Sequence, residues 1–230
     1  MFFDPMYLLI LGPAMLLALW AQGRVQSAYA SGMREPSAYS GAQVARMILD
    51  RAGLHDVPIE ETPGHLSDHY DPSTRVVRLS SGVYQTRSLA AVGIAAHEVG
   101  HALQHASNYG PMALRSAAVP AATYGPMAAM VMFVIGAVMS SPPLLWLGIL
   151  LFSSVALFQI INLPVEFDAS NRAKRLLTDM GVVDQHELGV VRSVLNAAAW
   201  TYVAATLQSI LQVAYYAFHV LAMTRSNRDE

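Results

Sequence analysis

The sequence predicts a mostly α-helical integral membrane protein with three or four transmembrane helices and one small α+β domain. Three observations lead there. Hydrophobic residues make up 54% of the 230 positions and charged residues only 13%, about half the charged share usual in soluble domains. Residues 116–165 contain no Asp, Glu, Lys, Arg or His, which is room for two crossings of about 20 residues each. The charges gather instead in residues 22–115, which hold eight arginines, half of the acids and many turn formers.

The net charge of −2 argues against nucleic acid as a partner. The chain has no cysteine, so disulfides and thiolate metal sites are excluded. Any metal must be held by His, Asp or Glu.

Residues 1–21 read as an N-terminal anchor. The apolar run from Met6 to Ala21 is broken only by Gly12 and Pro13. Ala28-Tyr29-Ala30 offers a signal-peptide cleavage site, but the segment before the run has Asp4 and no Lys or Arg. That is the wrong charge for a signal peptide, so an uncleaved anchor is favoured. With Asp4 before the run and Arg24 after it, the positive-inside rule puts the N-terminus outside and the next segment in the cytoplasm.

Residues 22–115 read as a folded insert. Tyr39-Ser40-Gly41 leads into Val44, Met47, Ile48 and Leu49, an amphipathic helix stopped at Gly53. Val57 and Ile59 suggest a short strand before Pro63-Gly64. Asp68-His69-Tyr70-Asp71-Pro72 reads as a turn, and Arg75-Val76-Val77-Arg78-Leu79 as an edge strand able to align an extended peptide by β-addition. Ser88 can cap a helix that runs to about Ala106.

That helix carries His97-Glu98-Val99-Gly100-His101. Histidines four residues apart share one face, about 6 Å apart along the axis, and can reach one ion. Glu98 points about 100° round the helix, where it can touch water held by the metal rather than the metal itself. Zinc draws the pKa of such a water towards 7, and the carboxylate takes its proton as it attacks a carbonyl. Two packed histidines without a metal are the bland alternative. His105 lies about 12 Å along the axis from His97, too far to share an ion with it. It reads as a residue behind or at the rim of the site, or equally as an unrelated surface histidine. His69 and Asp68 can line the cleft or simply satisfy their own turn, and His55 and His65 carry no signal.

Residues 116–165 read as a transmembrane hairpin with crossings near 119–139 and 144–163, turned by Ser140-Ser141-Pro142-Pro143. A hairpin returns the chain to the side it left. Hydrolytic zinc usually has three protein ligands. No acid occurs between Glu98 and Glu166, so Glu166 is the first candidate for the third and Asp168 the second. Asn162-Leu163-Pro164-Val165-Glu166 reads as a crossing that ends and a new helix with Pro near its start.

Residues 166–192 form the helix that completes the site, ended at Gly181, with Asp184 and Glu187 resembling a capping box. Arg172, Lys174 and Arg175 beside a membrane fit the cytoplasmic side. Residues 193–230 hold an apolar helix, either a fourth crossing or a helix packed on the folded domain. A crossing would put Arg225 and Arg228 outside, against the rule. Tyr202 or His186 can donate to the oxyanion of a tetrahedral intermediate, though packing explains each as well.

The chain resembles the YugP-like neutral zinc metallopeptidases, bacterial membrane proteases. The resemblance rests on Gly64-His65-Leu66-Ser67-Asp68-His69-Tyr70-Asp71-Pro72 and Ala95-Ala96-His97-Glu98-Val99-Gly100-His101-Ala102-Leu103-Gln104. It continues in Leu163-Pro164-Val165-Glu166-Phe167-Asp168-Ala169-Ser170-Asn171-Arg172-Ala173 and Ala197-Ala198-Ala199-Trp200-Thr201-Tyr202-Val203-Ala204. More distantly the chain is similar to the HtpX-like membrane gluzincins, whose third ligand is a Glu on a helix after a transmembrane hairpin. That resemblance maps the ligand onto Glu166. Those proteins carry an Asp four residues later, where this chain has Ser170, so the supporting carboxylate is missing or supplied by Asp168.

Together the sequence features and the resemblance imply a zincin-like, gluzincin-type domain in a bacterial plasma membrane, with Zn2+ on His97, His101 and Glu166 and with Glu98 as general base. The substrates implied are membrane or membrane-proximal proteins. A site-2-type intramembrane protease is the second reading, with Leu177-Thr178-Asp179-Met180-Gly181 as a loose echo of its second motif. An inactive zinc-stabilised scaffold or adaptor is the third.

Overall fold

Long uncharged stretches and a capped, charge-bearing segment become two different kinds of structure in the computed structural model, which describes residues 4–226. Chain contacts divide it into two units, one of Met1–Trp20, Leu114–Leu163 and Thr201–Glu230, the other of Ala21–Ala113 and Pro164–Trp200.

The first unit is helical. It holds the start of α1 (Pro5–Gly32), most of α5 (Gly110–Val138), the first part of α6 (Pro142–Asp179) and the end of α7 (Gln185–Ser226). All four helices are long and apolar enough to cross a membrane. Many of their large apolar side chains face outward, among them Leu9, Leu16, Val138 and Leu150, as a lipid-facing surface requires. The C-terminal helix therefore has the length and composition of a fourth crossing. Of Arg225 only the helical backbone is described, and Arg228 lies outside the described residues.

Helices α5 and α6 form the expected hairpin. A Cβ on Gly125 would stand 2.8 Å from the Leu151 carbonyl oxygen, and one on Gly136 would stand 3.0 Å from the Leu145 nitrogen. As the chain advances on one helix it retreats on the other, and the missing side chains let the backbones meet. The turn is a Schellman cap: Ser140 is left-handed (φ 50°), Ser141 N–H reaches the Gly136 carbonyl at 2.8 Å, and Ser140 N–H reaches that of Ala137 at 3.2 Å. The same geometry, with Gly53, Asn108 and Gly181 as left-handed residues, ends α2 (Gly41–Arg51), α4 (Leu89–Ala106) and α6.

The second unit is α+β. Helix α2 starts in a capping box, Ser40 with Gln43, and buries Val44, Ala45, Ile48 and Leu49. Helix α4 starts at Ser88, whose hydroxyl accepts from Ala91 N–H. Strands β1 (Ile59–Thr62), β2 (His69–Asp71) and β3 (Val76–Ser80) form one sheet in the order β1-β3-β2, and α3 (Ser81–Tyr84) follows. β3 is parallel to β1, with Ile59 opposite Val77, and antiparallel to β2, with Tyr70 opposite Val77. The core joins Ile48, Leu79, Val92 and Val99 to Val165, Leu177 and Val191. Asp184 and Glu187 cap α7 reciprocally, each backbone N–H meeting the other's carboxylate at 2.8 Å.

Three expectations are corrected. Residues 76–79 are not an edge strand, because β3 is central and paired on both sides, so β-addition cannot occur there. Arg78 of this central strand is answered from both flanks, by Glu60 on β1 at 3.1 Å and Asp71 on β2 at 2.9 Å. Nor are residues 68–72 a turn. Residues 69–71 are β2, and the reversal follows at 72–75, where Asp71 accepts from Ser73 N–H and from the hydroxyls of Ser73 and Thr74. Finally, no new helix starts near Pro164. Helix α6 runs through it to Asp179. Proline removes one N–H from a ladder of 38 residues, and apolar helices tolerate that loss when the rest of the ladder holds.

Candidate metal centre

All three donor residues belong to the α+β unit. Helix α4 supplies His97 and His101 from successive turns, and α6 supplies Glu166 two residues after Pro164. One ligand atom from each lies within 4.8 Å of the others. Glu166 Oε2 is 3.2 Å from His97 Nε2 and 3.6 Å from His101 Nε2. A tetrahedral zinc with ligands at about 2.0–2.1 Å has ligand-to-ligand edges of about 3.3–3.4 Å. These two separations bracket that edge, and two imidazoles with one carboxylate are a donor set that zinc accepts. The residues fit the ion.

The approach of the two helices depends on Gly100, the fourth residue of the motif. A Cβ there would stand 2.8 Å from the Ala169 carbonyl oxygen and 3.1 Å from its Cα, so only glycine lets the α6 backbone come this close. Ala169 lies three residues past Glu166.

Each histidine is held from behind. Gln104 is fully buried on the turn after His101. Its amide nitrogen donates to the Val165 carbonyl at 2.7 Å and to Asp168 Oδ2 at 2.9 Å. Both of those groups only accept, so the amide oxygen must face His101 Nδ1, 3.0 Å away. Nδ1 therefore carries the proton, and the Nε2 lone pair is free to bind an ion. His97 Nδ1 lies 3.1 Å from Ser170 Oγ, a hydroxyl able to accept its proton when Nε2 binds an ion.

The charges agree. Burial alone would push the Glu166 carboxyl up, but the imidazoles of His101 and His97 more than offset this and hold it well below the usual carboxylate range. Burial works against a charged His101, yet Glu166 and then Glu98 outweigh it, and the net direction is upward.

Glu98 is buried on α4 beside the ligands and is not one of the three grouped donors. Asp168 turns away from the ion position to Gln104 and Arg172. His105 Nδ1 lies 2.9 Å from the Tyr70 hydroxyl, and its ring lines a cavity of about 260 Å³ with Tyr70, Asp56 and Arg75. His186 is exposed in the first turn of α7, and Tyr202 lies further along α7 in the helical unit. Asp68 is spent on Ser80, accepting from its N–H at 2.7 Å and from its hydroxyl, while exposed His69 pairs with the Ser67 carbonyl. His65 packs edge-on against Tyr29.

Sequence reasoning missed Gln104 as the residue that orients His101, although its i+3 spacing on one helix face was the available signal. It missed Gly100 as well. It had marked Ser170 as a departure, and here the serine hydroxyl does stand beside His97.

Comparison with known proteins agrees with this geometry. Residues 7–221 match the family described as "Putative neutral zinc metallopeptidase". The chain is 45% identical over 219 residues to the "Putative membrane protease YugP" of Bacillus subtilis (strain 168), covering 94% of this chain and 96% of that protein. No solved structure matches it. A chain matched almost end to end, with its histidines and a returning glutamate gathered at one point, belongs to the neutral zinc metallopeptidase family.

Proposed function

We propose that the protein is a membrane-embedded, zinc-dependent endopeptidase of the gluzincin type that cleaves membrane or membrane-proximal proteins. The observation that carries this is the gathering of one ligand atom each from His97, His101 and Glu166 within 4.8 Å of one another, with a polar side chain behind each imidazole. Zinc bound there supplies a Lewis acid and lowers the pKa of a water towards 7. Glu98, buried beside the donors, would take a proton from the water that adds to the peptide carbonyl and return it to the leaving amine. Ser170 and Gln104 hold the ligand rings, and Asp168 fixes Gln104. The positive-inside rule puts this domain in the cytoplasm, facing the plasma membrane of a bacterium.

The site-2-type reading finds no support here. Leu177 is buried in the core, and Asp179 is exposed thirteen residues past Glu166, about 20 Å by helical rise. The scaffold reading leaves buried Glu98 without a task. The test is Glu98→Gln, measured for zinc content and for cleavage of casein or a model membrane protein. Near-normal zinc with activity down by 10²–10⁴-fold or more is expected. Full activity in that variant refutes the mechanism, lost zinc makes Glu98 a ligand, and zinc-loaded wild type without any proteolysis favours the scaffold.

A further inference from the structure

Away from the metal donors, the α+β unit has a cavity of about 530 Å³ between the end of α6 and the start of α7. Lys174 and Arg175 enter it from α6 and Arg192 from α7, against one acid, Asp179. Among the described residues none of these three cations has an ion pair, whereas Arg172, two residues before Lys174, is matched by Asp168. Burial and the nearby Arg192 both push the Lys174 ammonium below its usual value. Like charges are thus crowded into a cavity whose own anion does not balance them.

Two exposed aromatic residues continue the same helix faces towards the apolar crossings. Phe167 lies one turn before Asn171 on α6 and is 41% exposed. Trp200 lies two turns after Arg192 on α7 and is 44% exposed. Seven or eight residues separate aromatic from cation, about 10–12 Å of helix. The headgroup layer on one face of a bilayer is about 5–7 Å deep, and Lys or Arg side chains reach back roughly 6 Å. Aromatic rings at the acyl boundary and cations at phosphate height match the profile of a phospholipid.

We propose that this cavity binds the headgroup of an anionic phospholipid. Lys174, Arg175 and Arg192 hold its phosphodiester, Asn171 and Gln185 supply neutral hydrogen bonds, and Phe167 and Trp200 lie along the acyl chains. This does not depend on the peptidase reading. A soluble phosphate would need no aromatic track beneath the cations.

The test uses the full chain in neutral detergent and native mass spectrometry with phosphatidylglycerol and phosphatidylcholine of matched acyl chains. Each cation is worth roughly fivefold, so phosphatidylglycerol is expected to bind on the order of a hundredfold tighter. In Lys174→Gln/Arg175→Gln/Arg192→Gln that preference should collapse. In Arg34→Gln/Arg51→Gln/Arg87→Gln, which removes the same charge from exposed positions elsewhere, it should persist. Without lipid, the cavity variant should melt no lower than wild type, because it relieves repulsion. If it does not fold, Arg175→Gln alone should weaken the preference about fivefold. Retained preference in the cavity variant or in the single variant, equal loss in the control, or displacement of the lipid by excess inorganic phosphate each overturns the proposal.

Discussion

Adding one methyl group at Gly100 tests whether helix approach builds the metal centre. In Gly100→Ala the new Cβ meets the Ala169 carbonyl oxygen at 2.8 Å, whereas ordinary contact starts at 3.4 Å. The obstacle is backbone, so no rotamer change relieves it. Helix α6 has to retreat by about 0.6 Å near Ala169, and zinc sites tolerate only about 0.2 Å in a ligand distance. Glu166 and Ser170 lie on either side of that contact, so one ligand and the support of another move together. Zinc affinity should fall by about 10–100-fold. Overpacking should cost about 1–3 kcal/mol, offset in part by up to about 1 kcal/mol of helix propensity. Competition with a chromophoric chelator gives the affinity, and thermal melting of the apo and zinc forms gives the stability. Gly189→Ala is the control. It is also helical but has nothing within 4 Å of the new Cβ, so it should leave zinc unchanged and gain up to about 1 kcal/mol. Wild-type zinc affinity and melting in Gly100→Ala would refute the steric account, and equal zinc loss in Gly189→Ala would show that the effect is not local.

The other expected outcomes concern the ligand set, acid stability and topology. Glu166→Gln should lower zinc occupancy and activity together. Asp168→Asn should keep zinc while losing about 10–100-fold in activity, since it acts through Gln104; metal analysis showing the reverse would move the third ligand to Asp168. The Asp71 carboxyl is held well below its usual value by Ser73, then Thr74 and Arg78. Its contribution is therefore complete above the ordinary carboxylate range and is lost as pH falls through that range towards the lowered value. The melting gap between wild type and Asp71→Asn should be widest at neutral pH and start to narrow below about pH 4; a gap independent of pH counts against it. Single cysteines in this cysteine-free chain should label from outside intact cells at Ser140 and not at Arg51 or Arg175. Outside labelling at Arg175 would invert the orientation.

Much of this fold was legible because a few residue types act locally. Ser40, Ser88, Gly53 and Gly181 mark helix ends wherever they occur, and all four do so here. Fifty residues without charge can cross a bilayer twice regardless of what surrounds them. The strand run at 76–79 was legible as a strand, but its position in the sheet was not. That position depends on Glu60 and Asp71, which reach Arg78 from chain segments on either side of it. Pro164 gave the wrong local signal because a long apolar helix can lose one hydrogen bond and continue.

The metal centre divides in the same way. His97 and His101 are two turns of one helix, so spacing alone places them together. Glu166 joins them through a hairpin, and counting charges was enough to suggest that return. What spacing could not supply was the fit between α4 and α6. Gln104 shares a face with His101, yet its role depends on the Val165 carbonyl and Asp168 arriving from α6 to fix its amide. Ser170 at the place of a carboxylate looked like a loss until His97 Nδ1 was found 3.1 Å from its hydroxyl. Gly100 sits at a position of the His-Glu-x-x-His pattern open to any residue, and in this chain it decides how near Glu166 can come. The pattern names the donors; a residue it leaves unspecified sets the distance at which they meet.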